Sequence, residues 1–335
     1  MRLVSLFSGC GGMDVGFAEA GFEIVWANDF DSDAQRVYSH NLHQIDPRDI
    51  RTVPADDIPD CDIITAGFPC QPFSNAGKRK GVRDERGTLF EECMRIIEVK
   101  QPKVVVFENV RGILSTKDLD GNKLIDNIEH QLANTGQGYE VGHKLLNASN
   151  YGVPQNRYRV FMVGVRKDLG RSFVFPDPIP KEGLEVGNLL DIPPHVPNQV
   201  DWKLSPQAAK LITFIPEGGS WKDIPYDELP PRFKKIRDNI KKYRSPNFYR
   251  RFARHEINGT ITASAQPENC GIIHPLENRR YTIREIARIQ SFDDDFVFFD
   301  ETPGDIKSMY KVIGNAVPPK LAQVLALAIK EQVWG

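Results

Sequence analysis

The sequence has 335 residues, enough for two domains or one large domain, and its 40% hydrophobic and 26% charged residues are typical of a soluble globular protein with an apolar core. The five cysteines, at positions 10, 61, 70, 93 and 270, are odd in number and form no Cys-x-x-Cys pair, so they suggest neither a disulfide framework nor a zinc site, and a reducing cytosol fits best. Because the chain starts directly in a predicted strand and no apolar run approaches the roughly 20 residues that span a bilayer, we expect a cytoplasmic protein.

The first ~165 residues alternate short apolar runs with stretches of helical spacing. The predicted strands cover residues 3–7, 22–27, 63–66, 103–108 and 160–165. The predicted helices between them cover residues 13–20, 32–41, 89–99 and 124–134. Strands that alternate with helices in this way predict an α/β fold built on a doubly wound, mostly parallel sheet.

Residues 171–275 differ from this pattern, because they are rich in proline and turn signals and have weak periodicity. We interpret them as a second, smaller domain. Helical order returns at residues 282–290, and a final helix is predicted at 320–332, with an apolar face that would pack back onto the first domain.

A basic segment lies inside this second domain, where residues 232–254 contain ten Lys or Arg, one acid and five interleaved aromatic residues. A solvated basic helix face is the simpler interpretation of such a segment. The density of charge and the aromatic residues favour instead a surface that contacts the phosphates of a nucleic acid. Arg244, Arg250 and Arg251 are the residues that we expect to bind there.

Cys70 lies between two prolines, on a turn just after the predicted strand at 63–66. In an open α/β sheet, ligands bind at the carboxyl ends of the strands, and this cysteine lies there beside polar residues. A reactive thiol needs access and polar or positive surroundings, whereas structural cysteines usually lie in apolar runs. The segment by itself leaves a catalytic cysteine and a buried bystander equally open.

A glycine-rich turn, Phe-Ser-Gly-Cys-Gly-Gly at 7–12, separates the first predicted strand from the first helix. Its backbone can approach a ligand closely, and the helix N-terminus can bind an anion. Asp29 follows Gly9 by twenty residues, the position of an acid that binds ribose hydroxyls in nucleotide sites. Because Asp14 replaces the last glycine of Gly-x-Gly-x-x-Gly, we expect a nucleoside ligand without a pyrophosphate, with a purely structural turn as the alternative.

Two further polar segments adjoin predicted strands. Glu108 ends a strand of Val and Phe, where it is either an ion-paired structural acid or a carboxyl group that donates or shares a proton. Alternation in the segment 155–159 places Gln155, Arg157 and Arg159 on one face, as a pair of arginines that binds an anion or a base, or as ordinary surface residues. A last turn, at 314–319, precedes the final helix.

Six segments in this order resemble the DNA cytosine-5 methyltransferase family, of the bacterial restriction-modification type. They are Phe-Ser-Gly-Cys-Gly-Gly at 7–12, Phe-Pro-Cys-Gln-Pro-Phe-Ser at 68–74, Glu-Asn-Val at 108–110, Gln-Asn-Arg-Tyr-Arg at 155–159, Arg-Tyr-Thr-Ile-Arg-Glu at 280–285 and Gly-Asn-Ala-Val-Pro at 314–318. The resemblance implies a catalytic domain at 1–170 and 276–335, with a target recognition domain at 171–275.

The resemblance implies S-adenosylmethionine as the methyl donor, with S-adenosylhomocysteine as the product. Phe7 would lie near the adenine, Phe30 would stack on it, and Asp29 would bind the ribose. Asp49 and Ile50 would contact the adenine edge. The other implied cofactor contacts are Ser8, Gly9, Gly11, Gly12, Phe68, Pro69, Leu89, Asn315 and Ala316, and no metal site is implied.

The implied reaction begins when the Cys70 thiolate attacks C6 of cytosine, which makes C5 nucleophilic. Glu108 would hold N3 and share a proton, while Arg159 would bind O2 with Arg157 in support. The base must leave the duplex to be reached, and residues 71–86 would close over it. The implied DNA contacts are Gln71, Ser74, Lys78, Arg244, Arg250, Arg251 and Thr262.

The implied substrate is double-stranded DNA, methylated by a monomer in a prokaryotic cytosol, with a cognate restriction endonuclease that acts on the same site without a stable complex. A branch of the family that methylates tRNA shares the catalytic motifs and stays open, although the basic insert of ~100 residues favours duplex DNA. Intact Cys70, Glu108 and Arg159 disfavour a catalytically inactive nucleic-acid binder. The missing third glycine disfavours a dinucleotide-dependent dehydrogenase.

Overall fold

The computed structural model describes residues 1–69, 88–117, 121–239, 247–299 and 305–335. The chain divides into a first compact unit of Met1–Asn147, Tyr158–Pro178 and Leu321–Gly335 and a second of Ala148–Arg157 and Ile179–Lys320. The second unit includes residues 148–157, which precede the predicted limit at 171, and it continues beyond the predicted limit at 275. It does so because Ile283 and Arg284 donate backbone hydrogen bonds to Val200 and Asn198 inside that unit.

The first unit contains a six-stranded sheet. The strands of the chain are β1 (Arg2–Leu6), β2 (Glu23–Asn28), β3 (Ile63–Ala66), β4 (Val104–Val110), β5 (Tyr139–Asn147), β6 (Gln155–Asn156), β7 (Tyr158–Arg166) and β8 (Asn258–Gly259). The order in the large sheet is β2-β1-β3-β4-β7-β5, in which β2, β1, β3 and β4 are parallel and β7 is antiparallel to both of its neighbours. This confirms the predicted doubly wound, mostly parallel sheet.

Helices belong to both units of the chain. They are α1 (Gly12–Glu19), α2 (Ser32–Asn41), α3 (Thr88–Lys100), α4 (Leu124–Asn134), α5 (Pro206–Ile212), α6 (Pro231–Asp238), α7 (Ile283–Ile289), α8 (Ile306–Asn315) and α9 (Pro319–Trp334). Asp31 begins α2, because its carboxylate accepts hydrogen bonds from the first free amides of the helix. Apolar residues of α3 and α4, such as Ile96 and Ile128, pack with Phe107 of β4 in the core of the first unit.

Neither β5 nor α8 is among the predicted elements. β5 is an edge strand whose residues 140–145 are exposed or partly exposed, so its sequence lacks the apolar alternation that marks a half-buried strand. Its place in the sheet depends on backbone pairing with β7, which no local pattern reveals. The apolar residues of α8 are spaced as in an amphipathic helix, so that element is readable from the sequence.

Aromatic side chains form the core of the second unit. The ring of Phe248 lies 4.8 Å from that of Phe233 and 5.5 Å from that of Trp221, measured between centroids, and Tyr249 packs in the same cluster. Three of the aromatic residues of the basic segment are therefore core residues. These three residues pack inside the unit and are not part of the predicted surface that contacts phosphates.

One stretch of the described residues, Ile306–Trp334, is long and apolar enough to cross a membrane by length and composition, with a mean hydropathy of 1.4. It consists of α8 and α9, which Ala316 and the prolines that follow it separate. The 18-residue apolar segment within this stretch is 67% buried, which is typical of core helices in a globular protein.

Candidate active site

The glycine-rich turn joins β1 to α1 through residues with left-handed backbone conformations. Phe7, Gly9 and Gly11 have φ angles of 55°, 58° and 92°. A Cβ atom at Gly11 would lie 2.6 Å from Leu42 Cδ1, so conformation and space both exclude a larger residue there. The turn therefore presents backbone, rather than large side chains, at the carboxyl end of β1.

Asp29 connects the end of β2 to this turn. Its Oδ2 accepts a hydrogen bond from the Gly9 amide at 2.8 Å, and its Oδ1 accepts one from the Asp31 amide at 2.9 Å. The neighbouring Phe30 has a large apolar side chain that is 68% exposed. A fixed carboxylate with an exposed ring beside it fits a nucleoside, whose ribose needs a polar partner and whose base needs an apolar one.

The predicted cofactor contacts Asp49, Ile50 and Phe68 differ in which of their atoms are available to a ligand. Ile50 is 2% exposed, and Phe68 is buried with its ring 5.4 Å from that of Phe107, so both side chains are occupied in the apolar core. Their backbone atoms are what these two residues can offer a ligand. The Asp49 carboxylate lies 2.5 Å from the Arg51 guanidinium, and this hydrogen-bonded partner lowers its pKa.

Four other predicted contacts differ in their exposure and in the unit to which they belong. Pro69 is exposed, and Leu89 packs against the core of the first unit. Asn315 and Ala316 belong to the second unit, at the end of α8, where Asn315 is exposed and Ala316 is buried. The predicted cofactor residues are thus divided between the two units, and those of the turn and of Asp29 are brought together.

Glu108 and Arg159 form a shielded ion pair across the antiparallel strands β4 and β7. Arg159 Nε lies 2.9 Å from Glu108 Oε1, and the two side chains are 13% and 12% exposed. The register pairs Val110 with Arg159, so Glu108, two residues before Val110, projects from the same face of the sheet. Burial lowers the pKa of Arg159 and the Glu108 carboxylate opposes that change, so the guanidinium remains charged.

This ion pair lies beside the segment that leads to Cys70. A Cβ atom at Gly67 would lie 3.5 Å from Glu108 Oε2, so the carboxylate faces the backbone three residues before the cysteine. The next residue, Asn109, is buried and donates from Nδ2 to the Phe68 carbonyl at 3.0 Å. Asn109 is not among the predicted site residues, although a polar residue next to Glu108 at the end of an apolar strand is a signal that could have indicated a role. It holds the start of the Cys70 segment against β4.

Cys70 lies outside the described residues, together with the predicted loop at 71–86 and the predicted DNA contacts Gln71, Ser74, Lys78 and Arg244. Burial raises the pKa of Cys10 and of Cys61 to about 12, and it also raises the pKa of Cys93 and of Cys270. Such thiols stay protonated near neutral pH, so these four cysteines are poor nucleophiles. Where the structure describes the chain, no group of three or more His, Cys, Asp and Glu could hold a metal ion.

Arg157 belongs to the second unit and has different partners from Arg159. It is fully buried, and its two terminal nitrogens donate to the carbonyls of Ile261 and Gly314, each at 2.7 Å. Gln155 is buried as well and accepts a hydrogen bond from the Ile261 amide at 3.0 Å. Contrary to the prediction, Gln155 and Arg157 are therefore not residues of a recognition face. The Arg157 guanidinium donates instead to carbonyls that have no strand partner. It is therefore engaged inside the second unit rather than presented to a phosphate or a base.

The basic segment is also used differently from the prediction. Arg251 is buried, and its terminal nitrogens donate to three carbonyls of two other segments at 2.9 to 3.0 Å. Arg250 is paired with Glu256 at 2.6 Å and lies over the ring of Phe252. Contrary to the prediction, Arg251 is a structural residue rather than a DNA contact, because its guanidinium is occupied inside the unit, and Arg250 has an internal partner.

Thr262, one of the predicted DNA contacts, is partly exposed in the second unit. Its hydroxyl donates to Asn269 Oδ1 at 3.1 Å and lies 3.3 Å from the Ser264 hydroxyl. These bonds hold the side chain in one rotamer, and its role toward DNA stays a prediction.

Residues 1–331 match the family described as C-5 cytosine-specific DNA methylase. The type II methyltransferase M.NgoFVII of Neisseria gonorrhoeae is 39% identical over 340 residues, which cover 98% of this chain and 86% of that protein. The type II methyltransferase M.FnuDI of Fusobacterium nucleatum is 36% identical over 357 residues, which cover 99% and 94%. The crystal structure of the S. pombe Dnmt2 methyltransferase matches this chain with a TM-score of 0.66, and the match covers 99% of each chain. Because the identity is only 19%, this likeness shows a shared fold alone.

We expect Arg251→Met to lower the free energy of unfolding by about 3 kcal/mol, because it leaves several buried carbonyls without a donor. Chemical denaturation of the purified variant measures this loss. The control is Arg254→Met, which removes an exposed arginine paired with Glu217 at 3.0 Å and is expected to leave the free energy of unfolding nearly unchanged. An Arg251→Met variant of normal stability, with a weaker salt dependence of DNA binding, would restore Arg251 as a DNA contact.

Proposed function

The chain belongs to the C-5 cytosine-specific DNA methylase family and is an enzyme of that family, and from this premise we propose that it methylates a cytosine flipped out of a short duplex DNA sequence. S-adenosylmethionine is the proposed methyl donor. M.NgoFVII and M.FnuDI are type II methyltransferases, which supports a role in restriction-modification, with protection of host DNA as the proposed purpose. The enzyme would act as a monomer, and a cognate endonuclease would act on the same site without a stable complex.

The shielded ion pair of Glu108 and Arg159 is the observation that carries this proposal, because it lies beside Gly67, three residues before Cys70. A cytosine that enters beside the pair would present N3 to the carboxyl group and O2 to the guanidinium. When the Cys70 thiolate adds to C6, Arg159 would stabilise the charge that develops at O2, and a proton shared with Glu108 would stabilise N3.

The addition of the thiolate would make C5 a carbon nucleophile, which would take the methyl group as the methyl carbon–sulfur bond of the donor breaks and S-adenosylhomocysteine leaves. Loss of the C5 proton and elimination of the thiolate restore the aromatic ring, so Cys70 is regenerated. The raised pKa values of the four described cysteines support Cys70 as the nucleophile, since none of the four readily forms a thiolate.

S-adenosylmethionine, when bound, supplies an electrophilic methyl group. The glycine-rich turn and the N-terminus of α1 would hold its charged amino-acid part, and Asp29 would accept hydrogen bonds from its ribose hydroxyls. Phe30 would cover a face of the adenine. The carboxylate bonded to the Gly9 amide and the exposed ring of Phe30 support this assignment.

We also propose that residues 171–275 read the target site. Arg250 and Arg251 have partners inside the unit. Arg232 and Lys235 of α6 are exposed cations of the basic segment that can bind phosphates. Lys241 and Lys242, which belong to the same segment, lie outside the described residues.

We expect Cys70→Ala to abolish methyl transfer without weakening DNA binding, because it removes the nucleophile and leaves the phosphate contacts in place. Transfer is measured with labelled S-adenosylmethionine, and binding by fluorescence anisotropy of a duplex. Cys61→Ala is the matched control, since that thiol is protonated and precedes β3, and it should retain transfer. Methyl transfer above background by the Cys70→Ala variant would contradict the assignment of Cys70 as the nucleophile.

We expect Glu108→Gln to lower turnover by about 100-fold or more, which is in the range for a group that shares a proton with the substrate. The amide keeps the shape of the side chain but cannot share that proton. Glu129→Gln is the control, because it alters a glutamate that is paired with His143 in the same unit, and it should leave turnover unchanged. Near wild-type turnover by Glu108→Gln would reduce Glu108 to a structural partner of Arg159.

Labelled methyl transfer to unmethylated duplex DNA and, in parallel, to total tRNA tests the substrate directly. We expect label in DNA, as 5-methylcytosine within one short motif that conversion sequencing identifies. Label confined to tRNA would keep the chemistry and overturn the DNA substrate. Absence of label from both would contradict the proposed activity.

A further inference from the structure

A buried carboxylate lies beneath the glycine-rich turn. Asp14 is in the first turn of α1, is fully buried, and occupies the place of the last glycine in a Gly-x-Gly-x-x-Gly turn. In that motif the glycine lets the helix approach the strand closely. Here a side chain that carries charge when ionised takes that place, so its burial requires polar partners.

Two hydroxyl groups from different elements supply these partners. Ser5 of β1 donates to Asp14 Oδ1 at 2.7 Å, and Tyr38 of α2 donates to Asp14 Oδ2 at 2.7 Å. Ser8, inside the turn, donates to the Ser5 hydroxyl at 2.9 Å. One carboxylate therefore joins the strand before the turn, the helix after it, the neighbouring helix and, through Ser5, the turn itself.

Tyr38 also supports the turn by packing. A Cβ atom at Gly11 would lie 3.1 Å from Tyr38 Cδ2, so the ring lies against the backbone of the turn. The hydroxyl of the same ring is held by Asp14, and His43 Nε2 lies 3.4 Å from it on the other side. Loss of the bond to Asp14 would free the ring that limits the position of Gly11.

Burial raises the pKa of Asp14 to about 6, although the hydrogen bonds from Ser5 and Tyr38 oppose that shift. Because the pKa is higher in the folded state, the contribution of Asp14 to stability is present at acidic pH and is lost as pH rises through about 6. The two hydroxyl donors therefore offset part of the cost of burying this carboxylate.

We propose that Asp14 is a positioning residue for the cofactor, which acts through Ser5, Ser8 and Tyr38 to fix the glycine-rich turn in the conformation that receives S-adenosylmethionine. Asp14 acts at a distance, because both of its oxygens accept hydrogen bonds inside the protein. The inference rests on the proposed function, since it takes the turn as the S-adenosylmethionine site.

Two variants test the network. Asp14→Asn keeps the shape but replaces one acceptor oxygen with a donor, so one hydroxyl loses its acceptor. Tyr38→Phe keeps the ring and removes the hydroxyl. We expect each variant to raise the Kd for S-adenosylmethionine, measured by titration calorimetry, by about tenfold, with unchanged DNA affinity and little change in kcat at saturating cofactor. The double variant should weaken binding by less than the product of the single effects, because both act on one contact.

Tyr139→Phe is the matched control for Tyr38→Phe. It removes the hydroxyl of another buried tyrosine in the same unit, on the edge strand β5. This hydroxyl donates to the Pro102 carbonyl at 2.8 Å. This control should lower the melting temperature and leave the Kd for S-adenosylmethionine unchanged.

The outcomes separate this inference from the function on which it rests. Failure of the wild-type protein to bind S-adenosylmethionine would overturn both. Normal binding by the wild type, with a lowered melting temperature but an unchanged Kd in the two variants, would overturn the positioning role alone. If Asp14→Asn does not fold, Tyr38→Phe decides the question by the same measurement.

Discussion

The antiparallel pairing of β7 with β4 is the contact on which the proposed chemistry depends. The parallel strands β1 to β4 end at one edge of the sheet, where they carry the glycine-rich turn, Asp29, Gly67 and Glu108. Because β7 runs in the opposite direction, it brings its first residues, among them Arg159, to that same edge. An acid and a guanidinium from distant segments thus meet at 2.9 Å, shielded from water, where each compensates the buried charge of the other.

Buried arginines take a structural role in the second unit. Its described strands, β6 and β8, are two residues long, so many carbonyls there lack the partners that a sheet would provide. Arg157, Arg251 and Arg284 are buried and donate to backbone carbonyls. A guanidinium presents five donors in a rigid fork, so it can bond to carbonyls from several segments at once. The basic composition of this unit therefore overstates the charge that is available to DNA.

The glycine-rich turn is held by its neighbours rather than by its own preference. Phe7 adopts a left-handed conformation that is strained for a residue with a side chain, and such a conformation persists where the surroundings impose it. The Gly9 amide is bonded to Asp29, and the ring of Tyr38 packs against Gly11. A site that is rigid before the ligand arrives loses less entropy on binding, which is the advantage that such a scaffold gives to the proposed cofactor.

The sequence by itself determined the local elements and the family. The bounds of α2, β3 and α4 are as predicted, because apolar spacing is a property of neighbouring residues. The motifs around Glu108 and the glycine-rich turn likewise could be recognised in order along the chain. Only the tertiary structure decided the partners of Arg157 and Arg159, which are two residues apart in the sequence. Arg157 donates to a carbonyl 157 residues away, whereas Arg159 pairs with Glu108, and such contacts between distant segments leave no trace in a local pattern.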